Sequence, residues 1–307
     1  MGAMNQACLN PPIKWSLPAY LMGYAFLLLT PYPVLATEPP QLMIEAPHSL
    51  EPQAARLRNL NSSRFLPIMD LVGLDHPGPP IRVVLAPEQS AWAKQAPSWS
   101  SAYAMGELGM IVLLPERVLS YPYESLEQVL AHEVAHVLVA RSTGGRAVPR
   151  WFDEGLAMIA AHSWTVEDRA RLVWAMATEE PISLDEINAR FRRDRASAQQ
   201  AYVLAYAFVQ DLIRQTSPRL AKNVLALVAQ GLPFDEALTR LTSKTPRQLE
   251  VAFWDRQSIW TRWVPVATSS VMLWLVIVLL IFYVFRKQKK RTTAIKKQWE
   301  EEETGDP

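Results

Sequence analysis

The sequence predicts an α+β fold, in which a small N-terminal β-sheet packs on a mostly helical domain and one C-terminal transmembrane helix follows. Three observations support this prediction. The segments 81–87 and 108–114 are short runs containing β-branched residues, each ended by a proline, as in strands. From Ser120 onward the pattern is helical. Residues 263–285 carry no charge, and about 20 apolar residues suffice to span a bilayer.

The composition is that of an ordinary globular chain. The 307 residues are 20% charged and 50% hydrophobic, which is enough for one well-buried domain. The formal net charge of +1 gives no indication of a nucleic-acid partner or a strongly acidic partner. The only cysteine is Cys8, so a disulfide framework in the remaining chain is excluded.

The first 36 residues are predicted to form a secretory signal peptide. Residues 15–37 are uncharged and follow Lys14. Val34 and Ala36 are small enough for the −3 and −1 positions of a signal-peptidase site, so we expect cleavage after Ala36. An uncleaved N-terminal anchor is the alternative, and it would give the same topology.

The rest of the chain divides into four segments: a lead-in at 37–79, the main domain at 80–262, the transmembrane helix at 263–285 and a basic, then acidic, tail at 286–307. Within the lead-in, residues 37–55 are rich in Pro and Glu and are interpreted as a linker. The run "RKQKKR" after the span predicts a cytoplasmic tail and a main domain on the outer side of the membrane.

The main domain is predicted to begin with the two strands, separated by a short helix and an irregular loop. Helices are then expected at 125–141, 151–162, 166–178, 198–216, 218–230, 234–242 and 246–260. Ser125 and Gln128 form a helix-start pattern, and "TGG" at 143–145 ends that helix. The pair Arg192-Arg193 is interpreted as part of a solvated face.

The helix 125–141 carries the pattern H-E-x-x-H at residues 132–136. His132 and His136 are four residues apart, which places both rings on one helix face with their Cβ atoms about 5–6 Å apart. Two imidazoles at this spacing can bind one zinc ion. Glu133 lies beside His132, where it can act as a general base on water without binding the metal.

Burial supports this interpretation of the motif. The helix is apolar nearly all round, as buried helices are. Burying Glu133 and two histidines without partners would cost several kcal/mol, whereas a divalent metal removes that cost. A catalytic zinc takes three protein ligands, and the following helix offers Glu154 as the third. Asp153 is the alternative, because either acid could instead orient a histidine ring.

The motifs "HEVAH" and "WFDEGLA" resemble those of the gluzincin clan of zinc metallopeptidases, and in particular the peptidase MA-like proteins. The resemblance implies a zincin-like domain, a peptide or protein substrate and Zn²⁺ held by His132, His136 and Glu154. In the aminopeptidase branch a tyrosine in a similar helix stabilises the oxyanion. Tyr202 in "AYVLAYAFVQDLI" matches that position, and Tyr206 is the alternative.

The clan also binds extended substrates on an edge strand, a mode of β-augmentation. The segment "MGELGMIVLLP", residues 105–115, occupies the corresponding place in this sequence, although it matches the aminopeptidase exopeptidase motif poorly. We therefore expect 105–115 to contain the substrate-binding edge strand. Whether cleavage is endo or exo is left open.

The predicted function is hydrolysis of peptide bonds by a zinc metallopeptidase anchored in the bacterial inner membrane, with its catalytic domain extracytoplasmic. The alternative is an inactive pseudopeptidase that binds peptides or a partner protein. The complete H-E-x-x-H…E set argues against it, because a protein without catalysis has no need of Glu133. A structural zinc site is a third hypothesis, but such sites are normally closed and often contain cysteine.

Overall fold

A computed structural model of the protein describes residues 38–118, 125–161, 170, 172, 181–267 and 274–287. The fold is α+β, as the sequence predicts. Four strands form one sheet: β1 (Leu42–Glu45), β2 (Ile81–Leu85), β3 (Ala102–Met105) and β4 (Met110–Leu113). The predicted signal peptide, and the helix expected at 166–178 apart from positions 170 and 172, lie outside the described residues.

Two of the described helices lie between β1 and β2, and the others follow the sheet in the chain. The helices are α1 (Glu51–Arg58), α2 (Leu66–Val72), α3 (Leu126–Ser142), α4 (Arg150–Ala161), α5 (Leu184–Arg190), α6 (Arg195–Thr216), α7 (Leu220–Ala229), α8 (Phe234–Thr242) and α9 (Pro246–Ala267). Within the main domain the predicted helices at 125–141, 151–162, 198–216, 218–230 and 234–242 are confirmed to within a few residues.

The strand order in the sheet is β1-β2-β4-β3. The strands β1, β2 and β4 are parallel, and β3 pairs antiparallel with β4. The two predicted strands, β2 and β4, are thus the interior ones. Val83 and Ile111 face the large core shared with the helices, while Val112 packs with Ala93 on the opposite face. Burial on both faces explains why β4 is a continuous apolar run, whereas β2 has the exposed Arg82 on its second face.

The linker predicted at 37–55 is wrong. Leu42–Glu45 is the edge strand β1, in register with β2, and α1 begins at Glu51. Ala54 and Leu57 of α1 are buried in the core. A strand of four residues that half-buries only two side chains leaves almost no periodic signal in the sequence.

The expectation that residues 105–115 contain the edge strand is also wrong. Strand β4 lies in this segment and has partners on both sides, so it has no free edge. The edge strand beside β4 is β3, which lies in the segment that was expected to hold only a short helix and a loop. Its sequence "AYAM" contains no β-branched residue, so propensity alone does not indicate a strand.

In the described part of the chain, no helix is both long and apolar enough to cross a membrane. The predicted span 263–285 includes residues 268–273, which lie outside the described residues. Helix α9 ends at Ala267, and a further helix covers 274–287.

Helix α3 is central to the positioning of the site. Its start is fixed by Ser125, whose hydroxyl oxygen accepts a hydrogen bond from the backbone N–H of Gln128 at 3.2 Å. The helix ends before Gly144 and Gly145, whose φ angles of 62° and 79° let the chain turn toward α4. Helix α3 packs against β3, β4 and α4, and α4 packs against α6.

Candidate metal centre

Two adjacent helices bring three ionisable side chains together. Helix α3 supplies His132 and His136, and α4 supplies Glu154. Nε2 of His132 lies 3.0 Å from Nε2 of His136 and 3.2 Å from Oε2 of Glu154. Nε2 of His136 lies 3.4 Å from the same Oε2. The two histidines and the glutamate therefore present one atom each at the corners of a small triangle.

The dimensions of this triangle fit a zinc ion. A tetrahedral zinc with bonds of about 2.0–2.1 Å separates neighbouring ligand atoms by about 3.3–3.4 Å. The three observed separations, 3.0, 3.2 and 3.4 Å, are close to that value. Two imidazole nitrogens and one carboxylate oxygen are also a donor set that zinc accepts in catalytic sites. Among the described residues, His132, His136 and Glu154 form a group that could hold a metal ion.

The charges of the three residues depend strongly on one another. Burial lowers the pKa of His132, and this effect is larger than the opposite effect of the hydrogen bond to Glu154. The lower pKa favours the neutral ring, which is the form that binds a metal. Burial opposes charge on His136 too, but the carboxylates of Asp153 and Glu154 raise its pKa well above the ordinary value. Burial would raise the pKa of Glu154, yet the two histidines hold it well below the ordinary value.

Asp153 and Arg150 surround the triangle without joining it. Oδ2 of Asp153 lies 2.9 Å from Nδ1 of His136, the ring nitrogen that is not part of the triangle. Nε of Arg150 donates a hydrogen bond to Oε1 of Glu154 at 3.1 Å. Asp153 is therefore placed to orient His136, and Glu154 is placed as the third ligand.

Glu133 is buried next to the triangle and also lines the neighbouring cavity. Burial raises the pKa of its carboxyl group to about 7. A carboxyl group with such a pKa can both take and return a proton near neutral pH.

The two candidate tyrosines occupy different environments. Tyr202 lines the cavity, and its ring centroid lies 6.1 Å from that of His132. Burial raises the pKa of Tyr202 well above its ordinary value, so its hydroxyl remains a proton donor. Tyr206 is buried one turn further along α6, where its hydroxyl accepts a hydrogen bond from Nε2 of Gln210 at 2.9 Å. The structure thus places Tyr202, and not Tyr206, beside the candidate metal ligands.

A cavity of about 640 Å³ opens onto the triangle. One wall is formed by β3 and the segment 95–101 before it. The opposite wall comes from the start of α4, the turn after α5 and the start of α6. Sequence reasoning did not predict either wall. Arg192, which was interpreted as part of a solvated face, is exposed as expected and also lines the cavity.

The comparison with known families agrees with this geometry. A profile of the Peptidase MA superfamily matches residues 96–250. The chain belongs to the Peptidase MA superfamily. The matched range contains β3, both histidines, Glu154 and Tyr202. A search of curated proteins found no match. Membership of the Peptidase MA superfamily confirms the resemblance drawn from "HEVAH" and "WFDEGLA".

Proposed function

We propose that this member of the Peptidase MA superfamily is a zinc-dependent peptidase that hydrolyses peptide bonds. The observation that carries the proposal is the triangle of His132 Nε2, His136 Nε2 and Glu154 Oε2, which opens onto a cavity beside the buried Glu133. Zinc in this triangle would act as a Lewis acid, lowering the pKa of water and polarising a peptide carbonyl.

Glu133 is the proton carrier of the proposed reaction. Its carboxylate takes a proton from the attacking water and later gives that proton to the leaving amine. Burial raises the pKa of this carboxyl group, which makes its carboxylate a better proton acceptor than an exposed one.

Tyr202 is proposed to stabilise the negative charge that develops on the carbonyl oxygen. Its phenol stays protonated, because burial raises its pKa. Within the described residues the hydroxyl has no hydrogen-bond partner in the protein, so it can donate to a substrate oxygen. The aromatic contact with Phe191, at 5.1 Å between ring centroids, orients the ring.

Strand β3 is proposed to bind the substrate as an added strand. The backbone N–H of Leu114 donates to the carbonyl of Ser101 at 2.8 Å, so alternate residues from Ser101 onward point toward β4. The carbonyl of Ala102 points the other way and accepts a hydrogen bond from the Ser100 hydroxyl at 2.6 Å. The backbone groups of Ala104 then lie on the free edge, where an extended peptide can pair with them.

Metal content of the full-length chain tests the proposed centre. We expect near-stoichiometric zinc in the purified protein and its loss in His132→Ala. The matched control is His48→Ala, because His48 is exposed and distant in sequence from the motif. A folded wild-type protein that takes up no zinc after incubation with the metal would overturn the proposal. Zinc with peptide binding but no cleavage would favour the pseudopeptidase.

We further propose that the peptidase is anchored in the bacterial inner membrane with its catalytic domain outside the cytoplasm. The uncharged stretch 263–285 and the basic run after it support this proposal. Exposed apolar side chains on helix 274–287, such as Trp274, Phe282 and Phe285, are consistent with a lipid-facing surface. We expect the protein to resist carbonate extraction from membranes. We also expect an added protease to reach residues 37–262 from the outer side. Release into the soluble fraction would contradict anchoring.

A further inference from the structure

Three arginines contribute to one wall of the cavity. Arg150 begins α4, Arg192 follows α5 and Arg195 begins α6. All three line the cavity that opens onto the candidate metal centre. Arg150 is distant in sequence from the other two, and Arg192 and Arg195 lie in different elements. The packing of α4, α5 and α6 therefore brings the three residues to one cavity.

The arginines near this wall differ in whether a described carboxylate pairs with them, and Arg150 pairs with Glu154. The neighbouring arginines Arg190 and Arg193 both form ion pairs with Glu186, with nitrogen–oxygen distances of 3.2 and 2.8 Å. In contrast, Arg192 and Arg195 form no ion pair with any described residue. These two side chains are exposed, line the cavity and have no described ion-pair partner.

Arg150 links this wall to the metal centre. Its Nε donates to Glu154, and its guanidinium carbon lies 4.9 Å from the ring centroid of Phe191. Phe191 in turn contacts Tyr202. The guanidinium group of Arg150 is thus held between an aromatic ring and a carboxylate at the lining of the cavity.

Three acids also line the cavity, and one of them, Glu154, pairs with Arg150. They are Glu133, Asp153 and Glu154, and the last two already contact the histidines. Arg192 and Arg195, which have no described ion-pair partner, are therefore the groups of the cavity that would attract a negative group on a substrate. Guanidinium groups bind carboxylates through paired hydrogen bonds, which distinguishes a carboxylate from an amide of the same shape.

We propose that Arg192 and Arg195, with Arg150, bind a carboxylate of the peptide substrate, so that the protein prefers peptides that carry a carboxylate at the matching position. The carboxylate is either an Asp or Glu side chain or the C-terminal carboxylate. This inference rests on the proposed peptide substrate and adds a specificity that the metal centre does not supply.

Equilibrium binding tests the inference independently of cleavage. Fluorescent decapeptides are offered to the zinc-loaded Glu133→Gln protein in matched pairs that differ only by Glu or Gln at one scanned position. A second set of pairs differs only by a free or an amidated C-terminus. We expect one set to show about tenfold tighter binding of the charged member, the value of a charge-assisted hydrogen bond. If the Glu/Gln pairs differ in affinity, the bound carboxylate is that of a side chain. If the free and amidated peptides differ, it is the C-terminal carboxylate.

The variants Arg192→Gln and Arg195→Gln assign the effect to residues. Each should reduce the charged-to-neutral affinity ratio by several-fold, and the double variant should bring it close to one. Arg193→Gln is the matched control, because Arg193 pairs with Glu186 and does not line the cavity. Equal binding of both members of every pair, or a ratio that persists in the double variant, would overturn the inference.

Cleavage by the wild-type protein separates this inference from the proposed function. Cleavage of charged and neutral peptides at equal kcat/KM would refute the carboxylate preference and support the peptidase. Discrimination in binding without any cleavage would support the arginine wall and refute the peptidase.

Discussion

The carboxylate of Asp153 lies 2.9 Å from Nδ1 of His136, on the opposite side of the ring from the nitrogen that faces Glu154. Two consecutive residues of α4 therefore contact one histidine from two sides. A carboxylate on the outer nitrogen fixes the orientation of the ring and makes the inner nitrogen a stronger metal donor.

This contact predicts that Asp153→Ala weakens zinc binding by about 10–100-fold, a typical effect of removing such a partner. Asp153→Asn should weaken it less, because the amide oxygen can still accept from the ring N–H. Competition for zinc against a chromophoric chelator measures both values. The control is Asp185→Ala, at an exposed position in the first turn of α5. Unchanged affinity in Asp153→Ala would show that His136 is oriented by other contacts.

A second prediction concerns Glu133. Glu133→Gln preserves the shape of the side chain but cannot carry a proton, so we expect normal zinc content with kcat/KM lowered by about 10²–10⁴-fold. Zinc analysis and cleavage of a peptide library measure the two quantities on the same sample. Glu127→Gln, on the same helix but paired with Arg56, is the control and should retain activity. Full activity in Glu133→Gln would exclude its role as general base.

The motif of the candidate site was predictable because it is local. The i,i+4 spacing of His132 and His136, the Ser125 start and the glycines after the helix are all short-range signals, and α3 forms where they predict it. Glu154 is only 18 residues beyond His136 and lies on the next helix in the chain.

The substrate cavity was not predictable in the same way, because it depends on contacts between distant elements. Strand β3 exists through pairing with β4, and its own residues carry little strand propensity. Arg192 and Arg193 are adjacent and chemically identical, yet one lines the cavity and the other pairs with Glu186. The turn after α5 decides which of the two lines the cavity.

A third prediction concerns the contact between α4 and α6. A Cβ added at Gly155 would lie 2.5 Å from Cγ2 of Val209 and 2.7 Å from the backbone oxygen of Ala205. Gly155→Ala should therefore destabilise the protein by about 1–3 kcal/mol, despite the better helix propensity of alanine. Urea unfolding measures the change. Adding Val209→Ala should recover only part of the loss, since the carbonyl cannot be removed. A variant as stable as the wild type would show that the helices move apart at little cost.

A fourth prediction concerns Arg117, which ties the cavity wall together. Its Nε and Nη2 donate to both carboxylate oxygens of Glu88 at 2.6 and 2.7 Å. Its Nη1 and Nη2 also donate to the carbonyls of Pro97 and Ala93 at 2.8 and 3.2 Å. Arg117→Lys keeps the charge but cannot reach all these acceptors, so we expect a loss of about 1–3 kcal/mol. Amide hydrogen exchange at residues 93–100 should be faster in Arg117→Lys than in the wild type. Unchanged exchange there would show that Arg117 does not hold this segment.

The same pair predicts a pH dependence of stability. The hydrogen bond from Arg117 lowers the pKa of Glu88 below its ordinary value of 4.5. A carboxyl group whose pKa is lower in the folded state stabilises that state above its unfolded-state pKa, and the stabilisation disappears as pH falls through the folded-state pKa. Glu88→Gln should therefore cost stability at pH of about 6 and progressively less as pH falls below about 4.5. Urea unfolding of both proteins across this range measures the difference, and a difference that stays constant with pH would mean that the carboxylate charge contributes nothing.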